Sequence, residues 1–297
     1  MSSRHSSVPA PPLRVDAHQH FWTYEARDYP WIDQRHAALQ RDFLPGDLKP
    51  LLDQHGIDGC IAVQARHSVD ETDALLTQAA EHPWIFGVVG WADLRADDLD
   101  VQLARLGDPH KGAQKLVGLR HLVQNEPAPS LFLQDPAFAR GMRQLQTLGL
   151  TYDVLIKDKD LHAAADFCRR HDQHHLILDH LGKPDLSLED PIAWADRLAP
   201  LAALPHVACK LSGLITEADW QRWRPVELLP YFYLALELFG PQRLMFGSDW
   251  PVCQVAGSYS DVHQLFESAI STLSVDEQNA LRGGTAIRLY GLQGNCP

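Results

Sequence analysis

The segment LRVDAHQH, residues 13–20, is a short apolar run that ends in a pair of histidines. Seven similar runs rich in Val, Ile, Leu and Phe follow it along the chain. They are IDGCIAVQA, IFGVVGWAD, LVGLRHLVQ, LTYDVLIK, HLILDHLG, VACKLSG and RLMFGSDW. Runs of this length and composition are typical of buried strands, so the sequence predicts eight strands in order.

Helical patterns separate most of these runs. In DPAFARGMRQLQTLG, Asp135 can cap the helix, Pro136 takes its first position and Gly149 ends it. Near the C-terminus, Ser274 and Glu277 have the spacing of a capping box. Alternating strands and helices without a glycine-rich phosphate-binding motif favour the α/β class and a (β/α)8 TIM-like barrel in a single domain.

The barrel is expected to occupy residues 13–292, after a disordered tail at residues 1–12. The opening MSSRHSSVPAPPLR has no apolar core of the kind that a secretory signal requires. Aromatic residues in the connection 21–45 either fold over the barrel mouth as a lid or pack against its rim.

Composition excludes several classes of function. With 26 Lys+Arg against 38 Asp+Glu, the net charge is −12, and no basic run is present, so we expect no nucleic-acid partner. No apolar segment approaches the roughly 20 residues that span a bilayer, so we expect no membrane partner. The five cysteines form no CxxC pair or disulfide framework, and a reducing cytoplasm is the expected location.

Polar residues follow three of the predicted strands. In such barrels the functional groups lie at the carboxyl ends of the strands, because side chains fill the interior below. Alternation along the first strand puts Asp16, His18 and His20 on one face. Two imidazoles at this spacing can reach one metal ion or one substrate atom, although HxH is common as a bare pattern.

The sixth and eighth strands add one candidate each. His180 follows LILD and is expected at the barrel mouth, either in the site or as a histidine of the rim. Asp249 follows Gly247 and Ser248, whose small side chains leave room for a ligand. The alternative for Asp249 is the cap of the following helix.

His18, His20, His180 and Asp249 are thus all expected at strand ends. With this set of residues, the chain resembles the amidohydrolase superfamily. The segments DAHQHFW, GLRHLVQ, LDHLGKP, CKLSGL and FGSDWPV together resemble the sugar-lactone hydrolase branch of amidohydrolase family 2. That branch includes L-fuconolactonase, L-rhamnonolactonase and 2-pyrone-4,6-dicarboxylate lactonase. The resemblance implies a carboxylic-ester hydrolase of carbohydrate catabolism, such as L-fucose degradation, that opens a sugar (aldono-) lactone to its aldonic acid.

The resemblance also bears on metal binding. Metal-dependent members of the superfamily usually bring a Lys or Glu from the fourth strand and a histidine from the fifth, where this chain has Arg120, His121, Tyr152 and Asp153. A two-metal centre is therefore not expected. One divalent ion, zinc being the best suited, is expected on some of His18, His20, His180 and Asp249. The branch includes members that work without metal, so the ion can be dispensable; no organic cofactor is expected.

The family's roles carry over to matching positions. Asp249 is expected to be the general base that activates water, while His18, His20 and His180 polarise the lactone carbonyl. The candidate substrate-binding residues are Arg120, His121, Tyr152, Trp250, Lys183 and Lys210. Adjacent strand residues face opposite ways, and we favour Arg120 over His121. Four of them have a structural alternative: a rim salt bridge for Arg120, packing under a loop for Trp250, and a solvated or paired lysine for Lys183 and Lys210.

Two other functions stay open. One is a mononuclear zinc-dependent decarboxylase, or another amidohydrolase acting on a small carboxylic acid, because related decarboxylases use a similar set of residues. The other is a noncatalytic sugar-binding barrel. The expected partner is a small-molecule sugar lactone, and the sequence leaves open whether the chain forms a homo-oligomer.

Overall fold

The computed structural model of the chain describes residues 11–107, 112–187, 190–294 and 296. Within them, eight parallel strands pair in chain order. They are β1 (Val15–Gln19), β2 (Gly59–Val63), β3 (Ile85–Gly90), β4 (Leu116–His121), β5 (Thr151–Val154), β6 (Leu176–Leu178), β7 (Val207–Leu211) and β8 (Leu244–Phe246). The segments predicted to be strands from sequence each contain one of them.

Backbone contacts after β8 complete the ring. Gln19 bridges to Trp250 in parallel. The N–H of His20 donates to the carbonyl of Trp250 at 2.7 Å, and the N–H of Asp249 donates to the carbonyl of His18 at 2.8 Å. The sheet is therefore a barrel, and the predicted (β/α)8 fold is confirmed.

Helices surround the strands and close the lower end of the barrel. Their bounds are α1 (Pro45–His55), α2 (Val69–Glu81), α3 (Leu99–Leu106), α4 (Pro129–Phe132), α5 (Pro136–Thr147), α6 (Leu161–Arg170), α7 (Pro191–Ala202), α8 (Leu214–Glu217), α9 (Pro225–Phe239), α10 (Tyr259–Ile270), α11 (Val275–Asn279) and α12 (Thr285–Leu289). The predicted helix signals are present: Asp135 caps α5 by accepting from the N–H of Ala137, and Ser274 and Glu277 form the capping box of α11.

The apolar core has two parts. The larger part lies between the sheet and the outer helices. The smaller part fills the lower barrel interior, where residues of α12 and the turn after it pack against the strands. Its buried members are Val15, Ala17, Ile61, Val63, Phe86, Val89, Val117, Ile177, Ala208, Met245, Ala286, Leu289, Tyr290 and Leu292. Only the upper end of the barrel is left for polar chemistry.

A disordered tail was predicted at residues 1–12, and residues 1–10 of it lie outside the described part of the chain. In the residues that are described, no helix has the length and apolar character needed to cross a bilayer.

Gly141→Ala is expected to destabilise the protein by about 1–3 kcal/mol, because α5 packs closely on the loop after β3. A Cβ at this position would lie 2.0 Å from the carbonyl oxygen of Leu94. Gly46→Ala in α1 is the matched control, since a Cβ there would meet no atom of the described residues within 4 Å. Urea unfolding should give a lower free energy of unfolding for Gly141→Ala than for Gly46→Ala. Equal free energies of unfolding for both variants would contradict the packing argument.

Candidate active site

The four residues predicted to form the site lie together at the carboxyl ends of the strands. His18 and His20 come from the end of β1, His180 follows β6 and Asp249 follows β8. The Oδ1 atom of Asp249 lies 3.4 Å from Nε2 of His20, 3.8 Å from Nε2 of His18 and 4.0 Å from Nε2 of His180. The carboxylate is therefore within reach of all three imidazoles.

Asp16 and Gly247 explain how β1 and the segment after β8 come so close. The carboxylate of Asp16 accepts from the N–H of Ser248 at 2.9 Å and from the hydroxyl of Tyr259 at 3.1 Å. A Cβ on Gly247 would lie 2.7 Å from Cβ of His18, so any larger residue would displace that histidine. Burial raises the pKa of Asp16 to about 6 despite these hydrogen bonds.

Two of the four residues have an unusual backbone conformation. His180 has a φ of 53° and Asp249 a φ of 56°, and Leu181 and Lys183 are also left-handed. Left-handed conformations cost free energy for residues other than glycine, and they cluster at functional sites. This geometry turns both side chains inward at points where the strands have already ended.

Hydrogen bonds fix the orientation of two imidazoles. Nδ1 of His20 lies 2.8 Å from the carbonyl oxygen of Val63, so it carries the proton and donates it. Neutral His20 therefore presents an unprotonated Nε2 to Asp249. Nδ1 of His180 lies 2.9 Å from the hydroxyl oxygen of Ser212.

The buried environment sets the charges of the site. Burial lowers the pKa of His180 to about 4 and also lowers the pKa of His20, and it holds the pKa of His18 well below its usual range. Burial alone would raise the pKa of Asp249, but neighbouring groups, His180 first among them, hold that pKa below its usual value. At neutral pH the site thus has an ionised carboxylate among neutral imidazoles.

A buried polar layer lies directly below these residues. Nζ of Lys210 is 2.5 Å from Oδ2 of Asp153 and 3.0 Å from Oδ1 of Asp179. Arg120 donates to Oδ2 of Asp179 at 2.9 Å. The hydroxyl of Tyr290, which follows α12, donates to Oδ1 of Asp153 at 2.8 Å. We call these five residues the polar layer; it separates the apolar barrel interior from the site.

A cavity of about 460 Å³ opens above Asp249. Of the predicted substrate-binding residues, Arg120 and Lys183 line it. Other polar and aromatic residues of the wall come from loops after several strands. They are Trp31, Arg35, His36, Gln124, Asn125, Lys157, Thr216, Glu217 and Trp220. Sequence patterns singled out only Trp31 among them, as an aromatic residue of the connection 21–45. Arg35 and His36 lie in the same connection but were not identified.

The other predicted binding residues do not reach the cavity. Tyr152 faces the outer helices and packs against Phe138 and Phe167. Trp250 is buried against Phe43 and Phe21 below the rim. Lys210 belongs to the polar layer.

His121 also points away from the cavity, as alternation with Arg120 requires. Its Nδ1 accepts from the indole N–H of Trp91 at 3.1 Å, and its Nε2 donates to Glu126 at 2.7 Å. The neighbouring His67 accepts from the N–H of Leu122 at 2.9 Å. His67, His121 and Glu126 are close enough to hold a metal ion, but existing hydrogen bonds occupy the imidazole lone pairs.

Glu71 of α2 supports the wall of the cavity next to β2. Its Oε2 accepts from the N–H groups of Ala65 and Arg66, both at 3.0 Å, and its Oε1 accepts from the hydroxyl of Tyr29 at 3.1 Å. The carbonyl of Ala65 in turn accepts from the indole N–H of Trp31. Burial raises the pKa of Glu71 to about 7.

Glu71→Gln is expected to remove a pH dependence of stability. Because the pKa of Glu71 rises from its ordinary value of 4.5 to about 7, the folded protein binds this proton more tightly than the unfolded chain. This stabilisation is full below about pH 4.5 and is lost as the pH rises through 7, a change of about 3 kcal/mol. Urea unfolding across this range measures it.

Glu81→Gln, at the exposed end of the same helix, is the control and should keep the pH dependence of the wild type. If the stability curves of wild type and Glu71→Gln run parallel with pH, the assignment is wrong.

The donor set fits a single metal ion. The ligands of a tetrahedral zinc ion lie roughly 3.3–3.8 Å from one another, and His18, His20 and Asp249 are separated by 3.3–3.8 Å in this site. The bond from Nδ1 of His20 to Val63 is the kind of support that metal-binding histidines have. One contact opposes binding: Nη1 of Arg120 lies 3.2 Å from Nε2 of His18, the atom that an ion would need.

Two curated proteins are similar to this chain over most of its length. In sequence, the chain is 49% identical to L-fucono-1,5-lactonase of Burkholderia multivorans over 290 residues, which covers 94% of this chain and 96% of that protein. It is 36% identical to L-fucono-1,5-lactonase of Burkholderia ambifaria over 250 residues, 84% of each chain.

Among solved structures, the chain is similar to an amidohydrolase from Burkholderia multivorans with bound zinc. The TM-score is 0.91 at 47% sequence identity, and the match covers 96% of this chain and 100% of that one. A sequence model described as amidohydrolase matches residues 15–292. The fold and these matches agree, and the chain belongs to the amidohydrolase family.

Proposed function

We propose that this protein hydrolyses an aldonolactone, such as L-fuconolactone or L-rhamnonolactone, to the aldonic acid, with Asp249 as the base that activates water. The main support is the position of the ionised Asp249 carboxylate, 3.4 Å from His20 at the floor of a cavity. The names of the two Burkholderia relatives support the same reaction class, a lactone-opening carboxylic-ester hydrolase.

The cavity suits a small polar ring. Its volume of about 460 Å³ can hold a sugar lactone with several water molecules. Arg120, Lys157 and Asn125 supply hydrogen-bond donors for hydroxyl groups, whereas Trp31 and Trp220 offer flat surfaces for the apolar face of a sugar.

In the first half of the reaction, Asp249 accepts a proton from a water molecule, whose oxygen forms a bond to the lactone carbonyl carbon. The imidazole of His20 lines the cavity beside Asp249 and packs against this water. The carbonyl oxygen gains negative charge, which nearby N–H donors stabilise; Arg120 is the charged donor that lines this part of the cavity.

In the second half, the bond between the carbonyl carbon and the ring oxygen breaks. The ring oxygen leaves as an alkoxide and takes the proton that Asp249 received, which regenerates the carboxylate. The product is an open-chain acid, which ionises at neutral pH.

A divalent ion also fits this proposal. His18, His20, His180 and Asp249 would hold it, and zinc suits a set of three imidazoles and one carboxylate. When bound, such an ion supplies Lewis acidity to the carbonyl and lowers the pKa of water.

A panel of stereoisomeric aldonolactones, followed by acid release with a pH indicator, tests the proposal with and without a chelator. We expect rapid hydrolysis of a lactone with fucono or rhamnono stereochemistry. Failure to hydrolyse any aldonolactone, with or without added zinc, would overturn it. Full lactone turnover by the chelated protein would exclude the zinc-dependent decarboxylase considered from sequence.

A further inference from the structure

The imidazole of His18 lies between groups that compete for its two nitrogen atoms. At Nδ1, the ammonium of Lys210 lies at 3.1 Å and Oδ1 of Asp179 at 3.3 Å. At Nε2, Nη1 of Arg120 lies at 3.2 Å and Nε2 of His20 at 3.3 Å. Lysine and arginine can only donate hydrogen bonds, whereas a carboxylate can only accept them.

A neutral imidazole has one N–H, so two arrangements are consistent with these contacts. In the first, Lys210 donates to Nδ1 of His18 and the Nε2–H donates to the unprotonated Nε2 of His20. In the second, the Nδ1–H donates to Asp179 and Arg120 donates to Nε2. The two arrangements are tautomers of His18 with the same total charge.

The two tautomers have different chemistry. Only the form protonated on Nδ1 offers a lone pair on Nε2, which a metal ion needs. Only the form protonated on Nε2 offers an N–H there, which donates to Nε2 of His20. The choice of tautomer therefore decides whether His18 acts as a metal ligand or as a hydrogen-bond donor.

The surrounding contacts favour the donor form. Both contacts of the first arrangement are aligned as hydrogen bonds. In the second arrangement the contact from Arg120 is aligned as well, but Oδ1 of Asp179 makes no aligned hydrogen bond with the described residues. Lys210 is completely buried and its ammonium is held by Asp153, which Tyr290 anchors from below.

We propose that Lys210 is a positioning residue that keeps His18 protonated on Nε2, so that His18 serves as a hydrogen-bond donor and the site binds divalent ions weakly. Neither the tautomer nor the metal affinity depends on the proposed function. A zinc ion that binds His18 must move the proton to Nδ1 and break the contact with Lys210.

The test compares the wild type with Lys210→Met/Asp153→Asn. This double variant removes one positive and one negative charge, so the total charge of the polar layer is unchanged and no carboxylate loses its only cation. Two-bond ¹H–¹⁵N spectra of metal-free, histidine-labelled protein distinguish protonated from unprotonated ring nitrogens. The His18 signals are assigned by their loss in His18→Gln.

We expect an unprotonated Nδ1 for His18 in the wild type and a protonated Nδ1 in the double variant. Zinc affinity, measured by competition with a chromophoric chelator, should rise about 10- to 100-fold in the double variant. Tyr290→Phe keeps Lys210 and should retain the wild-type tautomer and zinc affinity.

A protonated Nδ1 in the wild type, or the same tautomer in wild type and double variant, would overturn the proposal. These measurements involve no substrate, so their outcome is independent of the lactone panel. A protein that fails to hydrolyse lactones but shows the tautomer change would contradict the proposed function alone.

Discussion

Asp249→Asn is expected to lower kcat for lactone hydrolysis by about 100- to 10,000-fold, the usual contribution of a general base. Asparagine has the same shape but cannot accept the proton of water. It also tolerates the left-handed conformation of this residue, with its φ of 56°, so the variant should fold normally. Because the donors of the cavity wall remain, KM should change much less than kcat.

Steady-state kinetics on the best lactone of the panel measure this effect, with thermal unfolding to verify the fold. Asp100→Asn on the exposed face of α3 is the control and should have wild-type activity. Turnover by Asp249→Asn within a factor of about ten of the wild type would remove Asp249 from the role of base.

Lys210→Met is expected to give the largest loss of stability, about 3–5 kcal/mol. Methionine fills much of the same volume but removes the cation that lies 2.5 Å from Asp153 and 3.0 Å from Asp179, both completely buried. Removal of one partner leaves an uncompensated buried charge, which costs far more than the ion pair itself contributes.

Urea unfolding should show this loss, and the addition of Asp153→Asn should recover part of it. Lys49→Met removes a half-exposed ion pair with Asp53 and should cost less than about 1 kcal/mol. If Lys210→Met were as mild as this control, the polar layer would not stabilise the fold through its charges.

The fold was predictable because its signals are local and repeated. Each strand segment is a short, buried run rich in apolar residues, and a closed parallel barrel is the arrangement that buries eight such strands. Helix ends such as the capping box of Ser274 and Glu277 depend only on neighbouring residues, and they lie where the sequence indicated.

The positions of the four central residues were predictable for a similar reason. His18, His20, His180 and Asp249 end strands, and the carboxyl ends of all strands meet at one mouth of a barrel. Alternation along β4 also separated Arg120, which lines the cavity, from His121, which does not. Their chemical roles stay predictions that the kinetic and spectroscopic tests address.

Other predictions depended on geometry that the sequence does not contain. Alternation allows either Tyr152 or Asp153 to face inward, and only the register of β5 places Asp153 inside and Tyr152 among the outer helices. Lys210 faces the interior but lies one level too deep to touch a substrate. Loop residues such as Arg35 and Trp220 have no periodic pattern that would indicate their direction.

The hydrogen bond from Ser248 to Asp16 joins positions that are 232 residues apart in the chain. During synthesis on the ribosome, β1 is made first, but its partner on that side, β8, emerges only after the six strands between them. Until then the growing sheet has two open edges, where unpaired backbone groups can bind strands of other molecules. We therefore expect aggregation at high expression to start from these partly built sheets, and slower translation at lower temperature to improve the yield of active enzyme.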